Sequence, residues 1–198
     1  MSATNRGSTI ISQEFYPTPK YTAEAMLAEL DFTQVSSFTE PCKGGGHIYD
    51  LVDVKDKYYA ELSEGIDYLT TEMPKVDLIL TNPPFSLAQE FITKAISEAK
   101  CVVILQRLNY LGSQARKSFW NNNPPTHLFV LSKRPKFIAK CTNKSCNNKD
   151  SYQVTTPPQM CSCGKDVVAS SDATEYAFFV FQKEGVNIVK KPSGIYVI

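Results

Sequence analysis

The chain has 198 residues, with 21 Lys and Arg against 20 Asp and Glu, and is 42% hydrophobic and 21% charged. That is the length of one domain with room for an added element, and the composition excludes a disordered chain, a collagen and a coiled coil. A net charge of +1 excludes a wholesale polybasic protein, so any nucleic-acid surface must come from local clustering. No apolar run approaches the roughly 18 residues that span a bilayer, and the polar start MSATNRGSTIISQE lacks the apolar core of a signal peptide. The reading is a soluble, cytoplasmic protein with no membrane partner.

In chain order, apolar runs predict strands at 35–39, 57–62 (KYYAEL), 76–80 (VDLIL), 101–105 (CVVIL), 126–131 (THLFVL) and 175–182 (EYAFFVFQ). The runs are continuous rather than alternating, as in parallel strands buried on both faces. Helical patterns fall at 19–30, 87–99 and 113–120, with Thr18 and Pro19 reading as N-cap and first helical residue of the first. Strands alternating with helices give an α/β fold with a mostly parallel sheet. One stretch, 140–171, breaks the pattern: it is rich in Asn, Lys, Ser, Thr and Cys without apolar periodicity. The chain therefore divides into a core over 1–139, an insert over 140–171, and C-terminal strands over 172–198 that complete the core.

The first strand runs into Glu40-Pro41-Cys42-Lys43-Gly44-Gly45-Gly46. Glycines there let the backbone turn sharply and come close to a ligand, and open α/β sheets bind ligands beyond the carboxyl ends of their strands. An acid about 20 residues later favours a nucleoside, through its ribose hydroxyls. Glu61 stands at that distance, and Asp67 follows in EGIDYL as a candidate acceptor for an adenine amino group.

Asn82-Pro83-Pro84-Phe85 closes the VDLILT run and precedes a helix. The two prolines stiffen the turn and remove local donors, so the Asn82 side-chain oxygen and the Pro83 carbonyl are acceptors without competition. Two acceptors beside an aromatic face suit a planar exocyclic amine, which donates its N–H groups while Phe85 stacks on its ring. A second N-P-P at Asn123-Pro124-Pro125 precedes a strand and has no aromatic after it, so it reads as a plain loop.

With these motifs the sequence resembles the small, phage-type DNA N6-adenine methyltransferases, which use S-adenosylmethionine. The resemblance is carried by FYPTP at 15–19, EPCKGGG at 40–46, ELSEGIDYL at 61–69, NPPF at 82–85, QRLNYLGSQAR at 106–116, RPKF at 134–137 and DATEYAFFVF at 172–181. It implies a Rossmann-like, seven-stranded sheet whose last strands form a reversed hairpin, in a protein of the bacterial host cell. It also implies that Tyr16, Thr18 and Pro19 lie beside the methionine part of the cofactor and that Glu40, Cys42, Gly44 and Gly46 form its glycine loop. Glu61 is then the ribose acid, Asp67 the adenine contact, and Asn82, Pro83, Pro84 and Phe85 the catalytic loop, with Asn82 also at the cofactor. The implied activity is methyl transfer to the N6 amine of adenine in double-stranded DNA, with the base flipped out of the helix. Lys43 and the triple glycine depart from the family's loop, and about 35 residues separate Phe137 from Asp172 where the family has a short link. Similar loops methylate RNA bases and protein glutamine amides, and a catalytically silent, zinc-bearing DNA-binding protein is the alternative from another class. His47 and His127 read as packing or surface residues, since this chemistry needs no histidine.

Six cysteines remain to be placed. Cys42 and Cys101 stand alone, whereas Cys141, Cys146, Cys161 and Cys163 fall within 23 residues of the insert. In a chain without a secretory signal such a cluster reads as a metal site; four thiolates suit tetrahedral, structural Zn2+, which would order so polar a segment. From 131 to 150, Lys133, Arg134, Lys136, Lys140, Lys144 and Lys149 face one acid, an arrangement expected to contact DNA phosphates.

Overall fold

In the computed structural model, residues 16–143, 146, 152–153, 160–161, 163–170 and 173–198 are described. The readings on residues 1–14, Phe15, Lys144, Lys149 and Asp172 lie outside them, and Lys140 is described by its backbone. The strands are β1 (Ser37–Glu40), β2 (Asp56–Tyr59), β3 (Val76–Thr81), β4 (Ala99–Arg107), β5 (His127–Val130), β6 (Ile138–Cys141), β7 (Tyr152–Gln153), β8 (Val167–Ser170), β9 (Tyr176–Gln182) and β10 (Gly194–Val197). The helices are α1 (Lys20–Leu27), α2 (Ala88–Glu98) and α3 (Lys117–Asn122).

Seven strands form one sheet in the order β10-β5-β9-β4-β3-β1-β2, and β6, β7 and β8 form a separate sheet in the order β7-β6-β8. In the large sheet β9 is antiparallel to both neighbours, β4 and β5, and every other pairing is parallel. The expected reversal is present: β5 and β9, the last two strands predicted from the sequence, pair antiparallel, and β10 adds a further strand parallel to β5.

The unbroken apolar runs follow from burial on both faces. Leu78, Leu80, Val103 and Leu105 pack toward α1 with Met26 and Phe38, while Ile79, Val102 and Ile104 pack with Ile92 and Ala95 of α2. All six residues of β3 are buried. The buried side of α2 is Ala88, Phe91, Ile92 and Ala95, the spacing that puts one stripe against a sheet. The result is three layers, with the carboxyl ends of β1, β2, β3 and β4 at one edge.

Several local expectations are corrected. Pro19, not Thr18, occupies the N-cap of α1; its side chain has no acceptor to cap the helix, and the Thr18 hydroxyl one residue earlier accepts from Asn82. The helix expected at 113–120 begins as one short 3-10 turn, Gln114–Arg116, and becomes α-helical only at Lys117. β10 was not expected: the apolar run IYVI at 195–198 is short, and it forms an edge strand in which Ile195 and Val197 are 72% and 70% exposed. The insert, read as irregular, folds into the three-stranded sheet.

At the opposite edge Asp77 ties three strands together. Its Oδ2 accepts from the backbone and hydroxyl of Ser36 (2.9 and 2.8 Å) and of Ser37 (3.1 and 3.0 Å), and Lys100 Nζ lies 2.8 Å from Oδ1. Burial alone would raise its pKa, but Lys100 and the serine donors outweigh this and hold the carboxyl well below the usual range. A depressed carboxylate contributes stability that is present above its unfolded pKa and lost as pH falls toward the folded one. Asp77→Asn should therefore cost about 2–3 kcal/mol in urea unfolding at neutral pH. The deficit should shrink below about pH 4 as the wild-type carboxylate protonates; a deficit constant down to about pH 2 would contradict this assignment.

Candidate functional site

A cavity of about 530 Å³ opens at the carboxyl edge of β1, β2 and β3. Of the residues singled out in the sequence, Tyr16, Thr18, Glu40, Cys42, Gly44, Glu61, Asp67, Asn82 and Pro84 line it. Pro19, Gly46, Pro83 and Phe85 do not: Pro19 starts α1, Gly46 sits behind the loop, and Pro83 and Phe85 are buried.

The glycine loop is held by its own backbone and by Glu61. Gly44 and Gly46 have φ of +51° and +81°, a region that disfavours any side chain. A Cβ on Gly46 would also lie 2.7 Å from Asp50 Oδ2. Lys43 N–H donates to Ala60 O at 3.1 Å and Gly46 N–H to Lys43 O at 2.9 Å, which folds the loop back over the end of β2. Glu61 Oε2 accepts from Gly44 N–H at 2.7 Å, and Oε1 accepts from the Ser63 backbone (3.0 Å) and hydroxyl (2.6 Å). Burial opposes the charged form, but the Ser63 and Gly44 donors prevail and Glu61 stays below the usual carboxylate range. Lys43 turns outward to Glu64 at 3.1 Å and stands 3.9 Å above the Tyr59 ring.

Glu40 behaves oppositely. Burial, reinforced by the negative charges of Asp50 and Glu61, pushes its carboxyl well above the usual range despite a bond from the Tyr49 backbone. Its Oε2 is buried without a partner. Burial also raises the Cys42 thiol, so it lines the cavity as a neutral, unreactive group. Asp67 Oδ1 accepts from Leu69 N–H at 2.9 Å, an Asx turn that fixes the carboxylate at the rim. Below it, Tyr68 stacks on Phe91 at 5.3 Å and donates to Glu98 at 2.6 Å.

Asn82 follows β3 directly. Its Nδ2 donates to Tyr16 O at 2.8 Å and to Thr18 Oγ1 at 3.1 Å, while its Oδ1 is buried and has no partner. Both amide donors are spent on the N-terminal segment and the acceptor is left over. His47 Nδ1 bonds Thr18 O at 3.1 Å, joining that segment to the glycine loop. His47 therefore lines the cavity, a role the sequence reading missed, whereas His127 is a buried histidine bonded to Thr126 and to Lys191 O. Phe85 sits in an aromatic group: Tyr16 stacks on it at 5.7 Å, and Phe137 and Tyr176 lie 6.3 and 5.8 Å away. Gln106 and Arg107 at the end of β4, also unassigned in the sequence, reach the same loop through the Phe85 carbonyl (3.5 Å) and the Phe85 ring.

The four insert cysteines come together, with all Sγ atoms within 4.8 Å of one another. Cys141 and Cys163 are 3.5 Å apart and Cys146 and Cys161 3.7 Å. The backbone N–H of Asn143 points to Cys141 Sγ at 3.4 Å, and Gly164, at φ +75°, turns the chain after Cys163 with its N–H on Cys161 O at 2.8 Å. None of the four lines the cavity.

No family model matches the sequence, and no curated protein is similar to it in sequence. Solved structures share its fold. One, from Pyrococcus horikoshii and provisionally assigned as an RNA methyltransferase, aligns with a TM-score of 0.58 at 14% identity, over 90% of this chain and 91% of that one. Another, provisionally assigned as a class I S-adenosylmethionine-dependent methyltransferase of Listeria monocytogenes, aligns with a TM-score of 0.52 at 12% identity, over 98% of this chain and 68% of that one. The fold is thus the Rossmann-like α/β fold of S-adenosylmethionine-dependent methyltransferases. No described helix is long and apolar enough to cross a membrane.

If Glu61 is the clasp of the glycine loop, Glu61→Ala frees the Gly44 amide. Hydrogen exchange at Gly44 and Ser63 should then quicken by about tenfold or more, from hydrogen bonds to a charged acceptor. Unchanged exchange at Gly44 would mean that the loop holds itself.

Proposed function

We propose that the chain transfers a methyl group from S-adenosylmethionine to the exocyclic N6 amine of adenine in DNA. The observation that carries this reading is the Asn82 amide, whose two hydrogens are engaged and whose buried oxygen has no partner. A buried acceptor without a donor costs stability unless a ligand supplies one, and an amine with two N–H groups is such a ligand. The cavity fits the cofactor on two further grounds. Its volume suits a nucleoside-sized molecule, and its acidic lining of Glu40, Glu61 and Asp67, with Glu40 Oε2 unsatisfied, suits a cationic one.

In this reading Glu61 and Asp67 hold the ribose and adenine of the cofactor, the loop from Glu40 to Gly46 approaches its methionine part, and Tyr16, Thr18 and Pro19 close over it. When bound, the cofactor supplies an electrophilic methyl on sulfur. Asn82 Oδ1 and the Pro83 carbonyl accept the N6 hydrogens of the target. This draws the nitrogen lone pair out of the ring, orients it for in-line attack and stabilises the positive charge that develops on N6. Each well-placed acceptor of this kind is worth about 3 kcal/mol, and holding both reactants in line supplies much of the remainder. The N6 proton released after transfer passes to water. The adenine is flipped from the duplex to reach the loop, at a cost of a few kcal/mol.

Charge segregation supports a nucleic-acid partner. Residues 101–171 hold ten Lys and Arg against two Asp and Glu, while the rest of the chain holds eleven against eighteen. Along the chain the basic stretch covers most of β4, β5 and the insert, whereas the acidic cavity is lined from the ends of β1, β2 and β3. In this reading the insert over 140–171 is a zinc lobe, closed and without a catalytic position, that helps hold DNA through Lys140, Lys144 and Lys149. Thiolates about 2.3 Å from a tetrahedral Zn2+ stand about 3.8 Å apart, close to the separations of the two cysteine pairs.

Purified protein should contain one zinc per chain by elemental analysis. Cys161→Ser should lose it, along with exchange protection in β6 and β8, while cofactor affinity stays the same. For the loop, Asn82→Ala should lower kcat for methyl transfer by about a hundredfold or more and, because it also frees Tyr16 and Thr18, weaken cofactor binding by no more than about tenfold. A variant that loses cofactor and activity together would make Asn82 a binding residue rather than the acceptor for the amine.

A further inference from the structure

The Phe85 ring, like Pro83, does not line the cavity. It is 7% exposed, and besides its aromatic neighbours the guanidinium carbon of Arg107 lies 4.9 Å above its centroid. Arg107 is the last residue of β4, and its backbone is fixed: the N–H donates to Gln106 Oε1 at 2.7 Å. Its side chain is not fixed in the same way. Nε is buried without a hydrogen-bond partner, and among the described residues no carboxylate pairs with the guanidinium. A planar cation is therefore held over an aromatic face chiefly by its attraction to the ring, in the position where a planar base would stack.

We propose that Arg107 occupies, in the free protein, the seat on Phe85 that the target adenine takes, and leaves the ring when the base enters. This rests on the proposed role of the loop in methylating an amine. Leaving costs only the contact with the ring, since no hydrogen bond to the side chain breaks, and the released guanidinium regains partners for its unsatisfied Nε. A seat held this way disfavours isolated bases, which must displace the cation unaided. It favours a base carried on a strand, whose phosphates attract the cation as it swings out.

The test is equilibrium dialysis of adenosine against the full-length protein saturated with S-adenosylhomocysteine, which keeps adenosine out of the cofactor cavity. Arg107→Ala should bind adenosine about tenfold more tightly than wild type, the size of a desolvated cation–ring contact. Arg107→Met, which keeps the packing of the stem, should gain similarly, and Arg107→Lys less. The gain should vanish when Phe85→Ala is added. Equal or weaker binding by both neutral variants, or a gain that survives without Phe85, overturns the proposal. A wild-type chain that does not bind S-adenosylhomocysteine overturns the methyltransferase reading as well; normal cofactor binding with no gain overturns the seat alone.

Discussion

The Asn82 side-chain amide is the constraint on which the site depends. An amide has two hydrogens to give and one oxygen to receive with, and here both hydrogens go to the segment before α1, at Tyr16 O and Thr18 Oγ1. That choice fixes the direction of Oδ1. It also ties the N-terminal segment to the end of β3, and His47 carries the tie on to the glycine loop. Glu61 then joins that loop to the end of β2. Three strand ends and the segment before the first helix are thus locked through four side-chain bonds around one cavity.

Two carboxyls of the cavity, Glu40 buried and Glu61 half-buried, illustrate how environment divides identical chemistry. Glu61 has three donors and remains anionic. Glu40, deeper and with one oxygen unsatisfied, is pushed toward the neutral acid. A cationic ligand entering the cavity would reverse the balance at Glu40 by favouring its charged form. The low net charge of the whole chain conceals a basic stretch over 101–171 and an acidic remainder that includes the cavity carboxyls.

Much of this was legible in the sequence because the signals are local. Continuous apolar runs gave β3, β4 and β9, since burial on both faces removes any polar alternation. Glycines at positive φ and N-P-P-F after a strand marked two loops that the fold brings to the same cavity. What stayed hidden depends on tertiary partners. Thr18 has every local mark of an N-cap, yet its hydroxyl is claimed by a residue 64 positions away. The edge strand β10 is only four residues long, and its short apolar run does not stand out beside the longer buried ones. In the insert, the buried cluster among the described residues is Val167 and Cys161 with Cys141 and Cys146 packed against it, and its sequence carries no apolar periodicity. Arg107 carries no motif at all; it comes over Phe85 through the pairing of β4 with β3, which leads into the loop.

The central claim is that the unsatisfied oxygen of Asn82 receives the exocyclic amine of adenine in DNA. The most direct measurement is to incubate the full-length protein with isotopically labelled S-adenosylmethionine and unmethylated duplex DNA, digest to nucleosides, and identify the labelled product by mass spectrometry. The account predicts label in N6-methyladenine and in no other nucleoside. Label in N4-methylcytosine, or transfer to RNA or to a protein amide with none to DNA, would contradict it.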